Sequence, residues 1–463
     1  MGVSRLVPSV WAILVAVAAF FFSVVSYLLL NLPSGIVKST SSHNNAERHK
    51  CSWSGHDAER RAVFCGNEKL FEMFRTACSC TSPAPISFED DPIAALDDVP
   101  ILVMAANRPK YLFRTLFNIL NAQGVNRANI VVSIDGFFDE SVAVAKLFAL
   151  RVIQSKPEGT KAARVSQHYR RALTTVMGDI YSSSEYVIVI EDDLQISPDF
   201  FFYMAHVLPI FKMDSQIYCV SAWNDHGMEH AIGNAQEIYR VEGMPGLGWA
   251  MSRKILDELL PKWLPKERMT DWDVWMRNPS NRKGRHCLIP DISRTFHFGE
   301  DGLNVDRNMQ GLYFRNHGFH QDRDSSPVAF TPLEELVKER YEAKLSEAIS
   351  RANVIDSKTL VCDSKKKTNP YLSMLTGATS THILYYSQDS KEELDNYFRL
   401  CWCLNIWDLD VRAQYQGVIR IHLQRVPVYL VAYPASRFSG SIPAKLSPLL
   451  LDSSIPKGNR RRT

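Results

Sequence analysis

The sequence predicts an α/β protein built on a mostly parallel sheet flanked by helices. Apolar runs of strand length alternate with amphipathic helical stretches from residue 99 onward, the pattern of strands joined by crossover helices. Polar clusters recur where those runs end, at Arg108, Asp135, 191–193 and 223–225, and ligands bind beyond the carboxyl ends of the strands in such sheets. At 463 residues, 46% of them hydrophobic, the chain can bury a large core and carry a second domain.

The elements follow in order. Residues 9–32, "SVWAILVAVAAFFFSVVSYLLLNL", carry no charge. They are long enough for one transmembrane helix of about 20 residues, whereas the apolar region of a signal peptide runs to only about 7–15. An uncleaved anchor at 9–32 behind a cytoplasmic tail at 1–8 is the expectation. Charge does not orient it, because Arg5 on one side faces Lys38, Arg48 and Lys50 on the other. The nine cysteines contain no CxxC pair, and Cys51, Cys65, Cys78 and Cys80 crowd the segment after the anchor. That pattern suits disulfides in an oxidising lumen, and so a single-pass type II protein with a luminal body. No Asn-x-Ser/Thr sequon adds support, since Asn278 is followed by Pro279. Residues 33–95 read as a short stem and cysteine-containing lead-in.

"VPILVMAAN" then reads as a buried strand. "RPKYLFRTLFNILNAQG" sets Leu112, Leu116, Ile119 and Leu120 on one helical face before a glycine stop. "ANIVVSIDG" is a second strand ending at Asp135, "KAARVSQHYRRALTTVM" a helix, "YVIVIEDD" a third strand and "IYCVSAWND" a fourth. From residue 325 a charged helical run, "LEELVKERYEAKLSEAISRAN", precedes "CWCLNIWDLDVR" and the strand-like "RIHLQRVPVYLVAY", which suggests a smaller domain over 325–463 after a first domain over 96–324.

A net charge of only +3 leaves no basic field for nucleic acid beyond the terminal "KGNRRRT". The chemistry gathers elsewhere. Glu191, Asp192 and Asp193 directly follow a strand, and three adjacent carboxylates call for a cation or a cationic partner unless they form a solvated turn. Hard oxygen ligands of this kind suit Mg²⁺ or Mn²⁺ shared with a substrate's phosphates. In "TDWDVWMR", Thr270 and Asp273 fit a helix cap with an acidic partner. Trp272 and Trp275 around Asp273 equally fit a sugar site, an apolar wall beside a general base, with Arg277 one turn on. "MPGLGW" at 244–249 lacks the Lys-Ser/Thr of a phosphate loop and reads as a tight turn. His168 and His297 read, residue by residue, as structural histidines.

These stretches together resemble the β-1,2-N-acetylglucosaminyltransferase I family, which adds GlcNAc to mannose. The matching text is "VSQHYRRAL", "EDDLQISPDFF", "CVSAWND", "YRVEGMPGLGWAMSR", "DWDVWMR" and "RKGRHCLIPDISRTFHFG". "AANRPKYLFRTL", "NAQGV", "IDGFFDE", "CLNIWDLDVR" and the "CSC" at 78–80 bring the likeness closer to the protein O-linked-mannose branch. The resemblance implies a GT-A fold, an inverting transfer from UDP-GlcNAc to a mannose-bearing glycoprotein, Mn²⁺ as cofactor and a Golgi location. It implies donor contacts from Arg108, Asp135, His168, Glu191, Asp192, Arg277 and Ser293, a metal ligand in Asp193 and a catalytic base in Asp273. Trp272, Trp407 and Arg412 would serve the acceptor. The same likeness implies a Cys219–Cys287 disulfide and a loop at 293–304 that closes over the donor; Cys362 with Cys403 is a second candidate pair.

Three departures accompany it. No large stem domain separates anchor from body, and the triplet is Glu-Asp-Asp, as in the N-glycan branch, where the O-mannose branch has Glu-Glu-Asp. Ala106 and Gly136 stand where the N-glycan enzyme has a cysteine pair. The alternatives are therefore an N-glycan mannose as acceptor, or a non-catalytic sugar-binding protein that has kept the fold. Nothing in the sequence speaks to oligomeric state.

Overall fold

The computed structural model describes residues 51–458, apart from 90, 304, 324–328, 358–361 and 363–379. The tail at 1–8 and the anchor at 9–32 lie outside the described residues. Among the described residues no helix is long and apolar enough to cross a membrane.

Ten strands come first: β1 Ile101–Ala105, β2 Ile130–Asp135, β3 Arg151–Ser155, β4 Tyr186–Glu191, β5 Leu194–Ile196, β6 Ile217–Ser221, β7 Ile238–Val241, β8 Trp249–Ser252, β9 His286–Pro290 and β10 Thr295–His297. Eight of them form one sheet in the order β3-β2-β1-β4-β8-β6-β9-β7, while β5 and β10 pair as a separate ribbon. Strands β1 to β4 are parallel, and β9 runs parallel to β6. β8 is antiparallel to both β4 and β6, and β7 is antiparallel to β9. The expectation of a mostly parallel sheet is therefore corrected to a mixed one. The antiparallel strands "IYRV" and "WAMS" are four residues each. They are too short for their periodicity to declare a direction.

Both faces of this sheet are covered, which is why its strands read as continuous apolar runs. Ile101 and Val103 of β1 pack into one core and Leu102 and Met104 into the other. The helix Pro109–Leu120 has proline at its first turn, and Leu112, Leu116, Ile119 and Leu120 are all buried on the first face. Cys219 and Cys287 sit opposite each other on β6 and β9 and form a disulfide. Residues 51–88 pack onto the same core as the sheet: Phe74 meets Phe113 at 5.1 Å, and two further disulfides, Cys51–Cys80 and Cys65–Cys78, close the segment.

A second sheet holds β11 Asn353–Val354, β12 His382–Gln388, β13 Gln414–Tyr415, β14 Val418–Leu423 and β15 Val426–Pro434, in the order β11-β12-β15-β14-β13. The helix Asp395–Leu404 packs beside it, tied to Cys362 through Cys403. The change of domain does not fall at 325, since Phe330 and Leu336 are still buried in the core of the first sheet. The two sheets share a third core, in which Trp223 and Met228 lie with Trp407 and Ile421.

Strand order reverses between β1 and β4, with β2 and β3 on one side and β8, β6, β9 and β7 on the other. That reversal opens a crevice at the carboxyl ends of β1 and β4, the place where open α/β sheets bind ligands.

Four of the histidines buried in this framework bear on its stability. Burial, the largest cause in each case, pushes His168 and His317 down to about 4 and His226 and His286 down to about 3. An unfolded imidazole titrates near 6.5, so the unfolded chain gains protons that the native one refuses. Their contribution to stability is present in full above about pH 6.5 and is lost as pH falls toward the native values. The melting temperature should therefore drop steadily from about pH 6.5 to 4, and a flat profile would contradict neutral buried rings.

Candidate active site

A cavity of about 620 Å³ lies at that crevice. β1 delivers Arg108, β2 delivers Asp135 at its last residue, and β4 delivers Glu191 with Asp192 and Asp193 just beyond it.

The acid triplet is not a solvated turn. All three carboxylates are buried or nearly so, and their backbone is clamped: Asp192 N–H donates to Met104 O at 3.0 Å, and Thr115 Oγ1 donates to Asp192 O at 2.8 Å. The cation that the triplet calls for is Arg108, which pairs with Asp192 and lies 2.9 Å from Asp193 Oδ2. Tyr169 donates to Glu191 Oε1 at 2.6 Å. His297 Nε2 stands 3.6 Å from Asp193 Oδ2. Burial pushes the Glu191 and Asp192 carboxyls up. Burial acts on Asp193 too, but the hydrogen bond and charge of His297, with Arg108, hold it below the usual range. One carboxylate in the triplet is thereby kept firmly charged.

Asp193 Oδ1 is buried and has no hydrogen-bond partner among the described residues. An orphaned carboxylate oxygen beside a cavity fits a divalent cation that takes one protein ligand and shares the rest with waters and phosphates. Gly299 completes the fit, because a Cβ there would lie 2.9 Å from Asp193 Cβ and Oδ2. The three-residue cluster Glu237, Asp291 and His422 could also hold an ion by its donor set, but it lies outside this cavity. Arg420 already pairs with Glu237, Asp291 Oδ2 accepts two backbone N–H groups, and His422 turns its two nitrogens to different carboxylates. That cluster is a junction between the sheets and a poor cation cage.

Asp135 and His168 also line the cavity, each already engaged. Arg164 Nε bonds Asp135 Oδ2 at 2.5 Å and Arg171 Nη2 bonds Oδ1 at 3.1 Å. His168 Nε2 lies 2.9 Å from Ser133 Oγ.

Across the cavity, the helix Trp272–Arg277 carries Asp273. The expected Thr270 cap does not form: the N-cap is Asp271, and no side chain caps the helix. Asp273 Oδ2 instead accepts from Arg277 Nη2 at 2.8 Å, and Arg277 Nη1 donates to Met244 O at 3.2 Å. Trp272 stacks on Tyr169 at 4.1 Å and Trp249 at 5.6 Å, forming a continuous aromatic floor. "MPGLGW" is the tight turn that the sequence suggested. Gly246 and Gly248 have φ of +89° and +76°, and a Cβ on Gly248 would sit 2.5 Å from Thr295 Cγ2.

Trp407 and Arg412 reach the same cavity from the loop after the helix Asp395–Leu404. Trp407 is mostly core, packed on Tyr313 at 5.0 Å, and Arg412 lies over its ring at 4.5 Å. Arg412 pairs with Asp410 at 2.7 Å and with Asp225 at 3.3 Å.

Ser293 is the exception among the expected site residues. It is fully buried, does not line the cavity, and its Oγ accepts from Asn224 N–H at 3.1 Å. Residues 293–298 are likewise part of the fold, since β10 pairs with β5 and Phe298 N–H donates to Asp193 O at 3.0 Å. Only the stretch from Asp301 has the exposure of a loop. Arg164, Arg171, Tyr169 and His297 were not singled out by sequence as site groups. His297 carried one usable signal, its place two residues before a glycine on a short strand.

The GNT-I family model matches residues 86–440. The chain belongs to the GNT-I family. An alpha-1,3-mannosyl-glycoprotein 2-beta-N-acetylglucosaminyltransferase of Arabidopsis thaliana is 34% identical over 227 residues, covering 46% of this chain and 49% of that protein. The chain thus spans about half the length of this curated relative. A mannosyltransferase from Pyrobaculum calidifontis, solved with GDP-Man and Mn²⁺, is 15% identical over 51% of this chain and 68% of its own, with a TM-score of 0.29. GalNAc-T7, solved with UDP, GalNAc and Mn²⁺, is 17% identical over 43% of each chain, with a TM-score of 0.30. At TM-scores this low neither likeness bears on the site.

Gly299→Ala should displace the Asp193 carboxylate. Mn²⁺ affinity in the presence of UDP, followed by water proton relaxation, should fall about 10–100-fold, the usual effect of disturbing a ligand's support. Unchanged affinity would show that Asp193 does not hold the ion.

Proposed function

We propose that the protein is an inverting, Mn²⁺-dependent GT-A glycosyltransferase moving GlcNAc from UDP-GlcNAc to the 2-hydroxyl of a mannose, in β-1,2 linkage. The supporting observation is that Asp193, with its orphaned oxygen, and Asp273, on a separate helix, line one cavity at the strand-order reversal of a GNT-I family protein.

The residues divide the work. Asp193 would hold Mn²⁺, which supplies charge stabilisation to the diphosphate when bound. Arg108 draws the same diphosphate with its guanidinium, already poised at the acid rim. Glu191 and Asp192 accept hydrogen bonds from sugar and ribose hydroxyls, and neutral His168 with Asp135 lies toward the nucleoside. Asp273 takes the proton from the attacking hydroxyl as it adds to the anomeric carbon, while the bond from that carbon to the diphosphate oxygen breaks and UDP leaves from the opposite face. Arg277 orients Asp273 through its 2.8 Å ion pair, one helical turn away. A single displacement converts an α-linked donor into a β-linked product. Trp272 and Trp407 give the acceptor apolar walls, and Arg412 supplies donors beside them.

Two acceptors are in contention. The name of the Arabidopsis relative favours the mannose of an N-glycan. The absence of a cysteine pair at Ala106 and Gly136, with "CLNIWDLDVR" around Trp407, favours O-linked mannose. We take the N-glycan acceptor as the leading reading. Parallel transfer assays on a high-mannose N-glycan and an O-mannosyl peptide decide it: the N-glycan should turn over faster, and the reverse order would install the O-mannose reading. A Golgi membrane location, with residues 9–32 as a type II anchor, completes the proposal.

The two carboxylates should fail differently. Asp193→Ala should weaken UDP-GlcNAc binding itself, with little rescue by excess Mn²⁺. Asp273→Asn should bind the donor almost normally while kcat falls by about 10²–10⁴-fold, the usual worth of a positioned base. Near-normal kcat in Asp273→Asn would remove the base assignment, and a non-catalytic sugar-binding protein would transfer nothing in any variant.

A further inference from the structure

We infer that Asp225 reads the acceptor: its free carboxylate oxygen accepts a hydrogen bond from a hydroxyl of the acceptor sugar other than the attacking one, and so determines which sugar fits. This rests on the glycosyltransferase reading of the cavity and deepens it.

Asp225 ends the "WND" stretch after β6, and its neighbours fix it in place. Trp223 stacks on His317 at 4.1 Å. Asn224 is locked at both ends of its amide: Nδ2 donates to Tyr239 Oη and Asp291 O, each at 2.8 Å, and Oδ1 accepts from His226 N–H at 3.0 Å. Ser293 Oγ takes up the Asn224 N–H. The backbone on either side of Asp225 therefore has no freedom to turn the carboxylate away.

That carboxylate is 1% exposed and lines the cavity. Oδ1 accepts from Arg412 Nη1 at 3.3 Å, whereas Oδ2 is buried and has no hydrogen-bond partner among the described residues. A charged oxygen buried without a donor is costly, and the hydrogen bonds of Asn224 fix the loop that carries it. A donor must then come from what enters the cavity. Three classes of occupant could face it. A second cation is disfavoured, because Arg412 already sits between Asp225 and Asp410. A phosphate carries no proton to give and would be repelled. A sugar hydroxyl fits: it donates one hydrogen bond, and its ring has apolar wall at Trp407 and Leu409 within the same lining.

Burial distinguishes Asp225 from Asp273: Asp225 is enclosed on a fixed loop, whereas the Asp273 side chain is 28% exposed on its helix, so Asp225 sets position and specificity while Asp273 moves the proton.

The test compares methyl α-mannoside with its 3-, 4- and 6-deoxy analogues, titrated by ligand-observed NMR against the full chain loaded with UDP and Mn²⁺. One analogue should bind the native protein about tenfold or more weakly, the loss of one hydrogen bond to a charged group. In Asp225→Ala, and in the shape-preserving Asp225→Asn, that penalty should shrink or vanish while UDP-GlcNAc affinity is kept. The same penalty in both variants overturns the inference, as does native protein that binds no mannoside. A structure of the native protein with the mannoside decides the point without any substitution, since a sugar hydroxyl either lies within hydrogen-bond reach of Asp225 Oδ2 or does not. Transfer of GlcNAc by the native protein tests the enzymatic reading separately. Binding with the expected penalty but no transfer would sink that reading and leave the Asp225 subsite standing.

Discussion

Everything in the cavity depends on keeping three adjacent carboxylates buried at the end of one strand. Their partners come from three elements: Arg108 from the end of β1 pairs with Asp192 and Asp193, His297 from β10 also faces Asp193, and Tyr169 from the helix Lys161–Thr174 donates a hydrogen bond to Glu191. A charge cluster of this kind is stable only when its partners arrive in register, so it fixes how these elements pack. Tyr169 then extends the constraint outward, because its ring supports Trp272, which neighbours Asp273 on the opposite wall. The wall of the acid triplet and the wall of Asp273 are thus joined by one tyrosine.

Much of this was legible in the sequence, and the gaps have physical causes. β1, β2, β4 and β6 were readable because both faces of each are covered, leaving unbroken apolar runs. β3 was missed because it is an edge strand of Arg151, Gln154 and Ser155 with half its surface in water. The helix Asp139–Leu147 was missed as well, being short and only weakly amphipathic. Acids that end strands announced themselves, but the groups that neutralise them come from distant positions, and a lone histidine such as His297 cannot be told from a structural one by pattern. Ser293 shows the opposite failure. It stands in a matching motif, yet its hydroxyl faces the backbone of Asn224, so its effect reaches the cavity only through the loop it fixes.

The second sheet is held to the first by more than apolar contact. Beneath the shared core, His422 on β14 lies between Asp291 and Glu237, and Arg420 on the same strand pairs with Glu237. Alternate residues of β14 point to one face, so a single strand presents Arg420 and His422 together to the carboxylates beside β7 and β9. Apolar packing alone would tolerate sliding between the sheets, whereas this set of directional pairs selects one alignment. That alignment carries Trp407 and Arg412 to the cavity mouth.

The Arg412 bridge has a consequence for how such a protein diversifies. Its two acidic partners have different origins: Asp225 is anchored at the end of β6 in the first sheet, and Asp410 sits on the same loop as Arg412. The half of the cavity beside Trp407 is therefore written partly in a loop separate from the strand end that carries the acid triplet. Substitutions between 405 and 413 can reshape that half while the arrangement around Asp193 stays as it is. Under the proposed function, inheritance of the transfer chemistry and drift in glycan preference are, in this architecture, separable.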